Sequence, residues 1–281
     1  MASVAKNTFY LTSALVGQKI LSFVYFTLLA RFLGPEIVGK YTFAIAFVTL
    51  FSMVTDLGLS YVLIREVARA KERAQAYVQT VLALKMILVV VAYGSALGMA
   101  VLLGHATVTL QLIALAGLIM VLDAFHFTLY GVLRGFQNLR YEALGMVVGQ
   151  GITLAFGGLA LALHFPLSAF LGALGLGSVW NVLLAVGVLK RHGLRLVPRL
   201  DKILLRPLMV AAIPFGLSGI FVKVYSYIDT VLLQHMRGDW EVGWYSVPYK
   251  ITYAFQFLPL ALSAALYPAL SAAWQQDKAR L

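Results

Sequence analysis

The stretch Leu33-Gly34-Pro35-Glu36-Ile37-Val38-Gly39-Lys40-Tyr41 returns without gaps as Arg237-Gly238-Asp239-Trp240-Glu241-Val242-Gly243-Trp244-Tyr245. Gly34, Val38, Gly39 and Tyr41 recur as Gly238, Val242, Gly243 and Tyr245, an offset of 204 residues. The same offset lays Lys19 on Lys223, Ser22 on Ser226, and Leu28-Leu29 on Leu232-Leu233. Each copy is an apolar stretch, a tight turn and a second apolar stretch, so each reads as a helical hairpin. Two unrelated apolar helices would not keep glycine and tyrosine at fixed spacing around a turn. The pattern therefore predicts a duplicated, all-α membrane architecture in which each copy carries a lysine in mid-helix.

Composition agrees. Hydrophobic residues make up 61% of the 281 and charged residues only 12%, and the mean hydropathy is +0.88. A soluble domain is nearer half apolar and a quarter charged. The absence of cysteine removes disulfides, thiolate metal sites and cysteine nucleophiles, and it leaves the redox compartment open. The net charge of +11 sits in short loops between apolar spans, the pattern that orients a membrane protein, so nucleic acid is not expected as a partner. The first apolar segment, after Lys6, is too long for a signal-peptide core and reads as a retained helix.

A bilayer core needs ~20 apolar residues per helix. About eight segments qualify: Thr8–Ala30, Tyr41–Leu63, Tyr77–Leu103, Val108–Tyr130, Ala143–Leu163, Leu167–Leu189, Leu208–Leu233 and Trp244–Ala272, the last carrying Pro259 and Pro268. Fifteen Lys and Arg residues then fall on one side of the membrane and three on the other, Arg31, Lys40 and Arg237. This asymmetry predicts a multi-pass protein of the cytoplasmic (inner) membrane with both ends of this chain in the cytoplasm. The expected organisation is a six-helix lobe over 1–189, a basic cytoplasmic linker over 190–207, and the first two helices of a second, incomplete lobe over 208–281. The linker reads either as an amphipathic segment on the anionic inner leaflet or as a plain connection.

The charges inside the spans carry the functional expectations. Lys19 and Lys223 lie near mid-span, where an ammonium cannot easily reach either surface. They are candidates for a cationic cavity that meets an anionic substrate such as a phosphate, or for structural ion pairs. Asp56 with Lys85, and Asp229 with Lys250, lie at matching depths and are expected as structural pairs. Asp123, His126, Tyr130 and Arg134 share one helical face, and a carboxylate beside an imidazole suits ion coupling or a hydrogen-bonded cluster. Polar stripes recur at helical spacing: Thr8, Thr12, Lys19 and Ser22; Thr42, Thr49, Ser52 and Asp56; Lys223, Tyr227, Thr230 and Gln234; Tyr249, Tyr253, Gln256 and Ser263. Gly94/Gly98, Gly131/Gly135 and Gly145/Gly149 have the spacing that lets helices approach closely. No nucleotide fingerprint or Walker loop occurs, and the histidines are scattered, so no cofactor, metal site or catalytic residue is expected.

Leu33 to Tyr41, followed by Asp56-Leu57-Gly58-Leu59 and Arg65-Glu66-Val67-Ala68-Arg69, resembles the start of bacterial polysaccharide repeat-unit (O-antigen/oligosaccharide-lipid) flippases. These belong to the multidrug/oligosaccharidyl-lipid/polysaccharide (MOP) exporter superfamily. Ile213-Pro214-Phe215-Gly216, Ile228 to Leu233 and Val242 to Tyr245 look like the opening of that family's second lobe. The resemblance implies twelve or fourteen helices in two pseudo-symmetric lobes, of which this chain would hold one lobe and two further helices. It implies alternating-access flipping of undecaprenyl-pyrophosphate-linked oligosaccharide, with membrane lipids and polysaccharide polymerase or assembly proteins as partners. Lys19 and Lys223 fit the basic cavity residues of such a flippase by position and chemistry. A multidrug or cation antiporter of the same superfamily is the alternative, with Asp56 and Asp123 as its acids. A membrane-embedded polymerase or lipid-sugar transferase would show a large outer loop or acidic loop motifs, which are absent, so the expectation is a transporter and not an enzyme.

Overall fold

The computed structural model describes residues 2–254. Among the described residues there are nine α-helices and no strand: α1 (Ala2–Leu33), α2 (Pro35–Ser52), α3 (Leu59–Arg69), α4 (Ala74–Leu102), α5 (Thr107–Gly135), α6 (Arg140–Ala162), α7 (Leu167–Arg191), α8 (Lys202–Arg237) and α9 (Asp239–Ala254). A 3-10 turn at Lys71–Arg73 leads into α4. Pro259, Pro268, Gln256 and Ser263 lie outside the described residues, as do Lys278, Arg280 and the side chains of Lys6 and Thr8.

Among the described residues, six helices are long and apolar enough to cross a membrane: Phe9–Leu33, Lys71–Leu102, Thr107–Gly135, Arg140–Ala162, Leu167–Arg191 and Lys202–Arg237. Large apolar side chains such as Val90, Leu102, Leu183 and Phe221 point outward from them, as expected of surfaces solvated by lipid. The chain is a multi-pass membrane protein. The second expected span is not one continuous helix. It breaks between α2 and α3, where Leu57 (φ 44°) and Gly58 (φ 84°) take left-handed conformations. The break is held from outside: a Cβ on Gly58 would meet Phe215 at 2.7 Å, and one on Gly216 would meet the Leu57 carbonyl oxygen at 2.7 Å. The turn is thus wedged backbone to backbone against α8. Of the eighth expected span, α9 covers the part up to Ala254.

The repeated turns explain how the two hairpins meet. Gly34 and Gly238 are the single residues joining α1 to α2 and α8 to α9, with φ of 78° and 94°. Only glycine takes that conformation without steric cost. Pro35 then starts α2 where its missing N–H is harmless. The hairpins cross at Gly39 and Gly243. A Cβ on Gly39 would collide with the carbonyl group of Asp239, and one on Gly243 with that of Pro35. Under the offset of 204, Pro35 corresponds to Asp239 and Gly39 to Gly243, so each glycine admits the partner's equivalent carbonyl. The contact is reciprocal, as a pseudo-twofold axis requires. Val38 and Val242 are both buried beside it.

The interior divides into three levels. One apolar cluster lies toward the α1–α2 and α8–α9 turns, with Tyr25, Leu29, Phe43, Phe47, Ile113 and Phe170. His105, in the α4–α5 turn, packs on the rings of Phe43 and Phe47 at 5.1 and 6.0 Å. Burial there pushes its imidazole below the ordinary histidine value, so it stays neutral. The second cluster lies toward the basic end of the bundle, with Leu59, Val67, Val78, Leu133, Leu189 and Leu208. Polar residues from several helices, among them Thr49, Asp56, Lys85, Asp123, Thr153 and Asn181, line a common space. The connection from α7 to α8 turns at His192 and Gly193 and then runs without regular secondary structure to Asp201. It is pinned to α4 by the Gln75 amide, which donates to the Arg195 carbonyl (2.6 Å) and accepts from the Arg195 N–H (2.8 Å). Arg199 N–H also donates to the Gln79 carbonyl at 3.2 Å. Asp201 then caps α8 by accepting from Ile203 N–H at 2.9 Å.

Gly39→Ala is expected to destabilise the folded protein by about 1–3 kcal/mol, because the new methyl must push two backbones apart. Gly187→Ala, whose added Cβ has no neighbour within 4 Å, is expected to leave stability unchanged or slightly raised. Thermal unfolding in detergent micelles, followed by the fluorescence of Trp240 and Trp244 on α9, measures both.

Candidate functional site

The polar level opens into a cavity of ≈ 520 Å³ lined from α1 to α8. Its chemistry begins at the helix break. Because the chain turns at Thr55 to Gly58, Asp56 projects inward and its carboxylate accepts from the Ser60 hydroxyl (2.5 Å) and the Ser60 N–H (3.3 Å). That places negative charge at the N-terminal end of α3, where the helix dipole favours it. Lys85 of α4, almost fully buried, donates to the same carboxylate at 2.6 Å and to the Ala124 carbonyl at 3.3 Å. Thr128 closes the group, 3.4 Å from Ser60 Oγ.

One turn away, Asp123 of α5 accepts from the Ser178 hydroxyl of α7 at 2.6 Å. His126 Nε2 lies 3.5 Å from the same oxygen, Oδ1. Both nitrogens of the buried His126 ring lack a hydrogen-bond partner, and the ring packs on Phe127 and Tyr130 at 4.4 and 5.6 Å. Tyr130 donates to Asn181 Oδ1 at 2.7 Å. Arg134, further along the same face, is held by the buried Glu142 of α6. The four residues Asp123, His126, Tyr130 and Arg134 therefore share a face but serve three separate partnerships.

Lys223 of α8 reaches the same cavity and lies 5.7 Å from the Tyr227 ring centroid. Lys19 does not line it, whereas its neighbour Gln18 does. Lys19 instead sits 5.6 Å from the ring of Tyr253 on α9. Lys250 is nearby, 3.4 Å from Ser22 Oγ and 5.5 Å from the Phe26 ring, and close enough to Lys19 to repel it. The expected ion pair of Asp229 with Lys250 is not formed. Asp229 accepts from Thr230 N–H (2.7 Å) and from Tyr245 Oη (2.6 Å). The offset of 204 lays Asp229 on Tyr25 and Tyr245 on Tyr41, and Tyr25 and Tyr41 are both buried in the first hairpin. Asp229 thus fills a position in its own hairpin, while Lys250 faces α1 of the other. Among the described residues no carboxylate lies within 4.0 Å of Lys19, Lys223 or Lys250, and no group of three metal-ligating side chains occurs.

Sequence reasoning missed Ser178, Asn181 and Glu142. Ser178 and Asn181 carry no charge, and Glu142 sits at a helix start where an exposed acid is ordinary. Only packing shows that Glu142 is buried against Arg134.

A family model described as polysaccharide biosynthesis protein matches residues 4–274. No curated protein matches the chain. Among solved structures, the chain is similar to the inward-facing conformation of a multidrug resistance MATE family transporter of the MOP superfamily. The identity is 20% and the TM-score 0.71, over 93% of this chain and 63% of that one. The outward-facing conformation of such a transporter matches at 18% identity and a TM-score of 0.66, over 97% of this chain and 64% of that one. A MOP superfamily transporter from Pyrococcus furiosus matches at 18% identity and a TM-score of 0.63, over 89% and 60%. Its binding pocket is described as having reverse polarity. Likeness at this identity establishes the fold. The chain spans less than two thirds of the length of each of these structures.

Asp56→Asn leaves the Lys85 ammonium buried without its counter-charge and is expected to destabilise the protein by about 3 kcal/mol. Adding Lys85→Met removes the stranded charge and is expected to restore most of that loss. A double-mutant cycle of thermal unfolding in micelles reads the coupling between the two.

Proposed function

Because the chain belongs to the polysaccharide biosynthesis protein family, whose model covers residues 4–274, we propose that it is part of a MOP-type membrane transporter. The proposed activity is the flipping of undecaprenyl-pyrophosphate-linked oligosaccharide repeat units across the cytoplasmic membrane by alternating access, for surface polysaccharide export. The observation that carries this reading is the unneutralised charge of Lys223 and Lys250, both half-buried, with Tyr227 beside the first and Ser22 and Phe26 beside the second, and of Lys19, on an exposed face of α1 against Tyr253, while the buried Lys85 is fully paired. A buried ammonium without a carboxylate is expensive, and an anionic ligand relieves the cost. The phosphates of the lipid carrier supply that charge, and the tyrosines offer hydroxyls and ring faces to sugar.

On this reading residues 1–189 form the first lobe, with α2 and α3 together making its broken second crossing. Residues 190–207 are the cytoplasmic linker, and 208–281 begin the second lobe, for eight crossings in this chain. The reciprocal contact of Gly39 and Gly243 supports an axis between two such lobes. The charge asymmetry of the loops supports a cytoplasmic location for both ends of this chain. Asp123 and His126 are the proposed ion-coupling pair, Asp56 and Lys85 a structural pair. A polysaccharide polymerase or assembly protein is the proposed partner, and the protein acts as a transporter and not as an enzyme.

A multidrug or cation antiporter of the same superfamily is the second reading, favoured only by the acids Asp56 and Asp123 in the cavity. Asp56 is already engaged by Lys85 and Ser60, which leaves little free negative charge to attract a cation. The test is Lys19→Ala and Lys223→Ala in the chromosomal gene. Each is expected to cut surface polysaccharide by tenfold or more at unchanged protein abundance, with Lys→Arg retaining most of it. Wild-type polysaccharide in both alanine variants would refute the cationic site, and drug resistance without a glycan phenotype would favour the antiporter.

A further inference from the structure

Asp123 and Lys223 are far apart in sequence and sit on different walls of one cavity, α5 on one side and α8 on the other. Both line that cavity with opposite charge, and no contact within 4.0 Å joins them. Asp123 Oδ1 is occupied by the Ser178 hydroxyl and faces His126 Nε2. Among the described residues its Oδ2 accepts no hydrogen bond. Lys223 has the Tyr227 ring beside it and no carboxylate in contact.

The other charged groups around this pair are committed. From α4, Lys85 is bound to Asp56 of the α2–α3 turn at 2.6 Å. From α5, Arg134 is bound to Glu142 of α6. Gln18 of α1, Thr49 and Ser52 of α2, Gln150 of α6 and Asn181 of α7 line the cavity without charge. The groups left to answer a change in cavity charge are Asp123, His126 and Lys223. An attraction across a polar gap is weak enough to be surrendered, unlike a contact pair in a dry site. The His126 ring, with neither nitrogen hydrogen-bonded, stands beside the carboxylate as its nearest titratable neighbour.

We infer that Asp123 competes with the anionic substrate for Lys223, and that a proton taken up by the Asp123–His126 pair releases Lys223 to the substrate phosphate. The inference rests on the reading of Lys223 as a substrate contact. The balance is simple. One proton from solvent adds to the pair and raises the cavity charge by one, the incoming phosphate compensates that charge, and the proton leaves when the phosphate does. Proton occupancy and substrate occupancy are thereby linked through one lysine. The linkage is reciprocal: whatever protonation adds to phosphate affinity, phosphate adds to proton affinity.

The test measures binding of inorganic pyrophosphate to the purified protein in micelles, by calorimetry, at about pH 5 and about pH 8, the range over which such a pair exchanges protons. The titration of the probe itself cancels in the ratio of Asp123→Asn to wild-type affinity. That ratio is expected to be on the order of tenfold at the higher pH, about one pKa unit of interaction, and to approach one at the lower. Lys223→Gln is expected to weaken binding at both pH values, and adding Asp123→Asn to it is expected to change nothing further. Asp123→Ser replaces Asp123→Asn if the latter fails to fold. A ratio equal at both pH values, or an effect of Asp123→Asn that survives in the Lys223→Gln background, overturns the inference while leaving Lys223 as a binding residue. Wild-type binding that Lys223→Gln does not weaken overturns the reading of Lys223 itself.

Discussion

The close approach of α2 to α9 governs the rest of the molecule. Two helices touch backbone to carbonyl at Gly39 and Gly243, and in lipid such contact is a main source of helix association, since apolar side chains gain little from leaving one hydrocarbon for another. Once the hairpins are locked at that level, α8 is drawn against the α2–α3 turn, where Gly58 and Gly216 make a second backbone contact. The polar level of α5 and α7 is then left facing Lys223. The cavity is what remains when two pairs of backbones meet and the side chains between them are polar.

The same logic explains why charges along the helices fall into two kinds. Lys85 and Arg134 have carboxylate partners supplied by neighbouring helices. Lys19, Lys223 and Lys250 have aromatic rings and hydroxyls instead. Ring faces attract a cation without cancelling it, so these three keep a net positive charge available to something else. A membrane interior that only needed stability would have little reason to retain them.

Hydropathy made the long helices legible, because a bilayer sets their length and composition. It did not reveal the break after Ser52. The only local marker there is Gly58, and the unusual conformation of Leu57 is imposed by contact with α8, far along the chain. The charged residues show the same division. Depth along a span is readable from sequence, but the direction in which a face points is not. Asp56 and Lys85 share a depth and meet; Asp229 and Lys250 share a depth and do not, because Tyr245 takes the carboxylate within its own hairpin. Lys19 and Lys223, equivalent under the repeat, occupy different surroundings for a related reason: the second hairpin lies against the first, so the two copies cannot have the same neighbours.

The irregular connection between α7 and α8 has a mechanical consequence. Its ten residues look long enough to let the two parts of the chain drift. Gln75 and Gln79 shorten it by gripping the backbone at Arg195 and Arg199. Only Leu200 and Asp201 lie between the last grip and the start of α8 at Lys202. A chain that short reaches about 10 Å at full stretch. While the grip holds, the basic end of α8 is on a leash of that length from α4. Large excursions must therefore occur at the opposite end of the helix, with the leash as pivot, or must begin by tearing two glutamines from the strap.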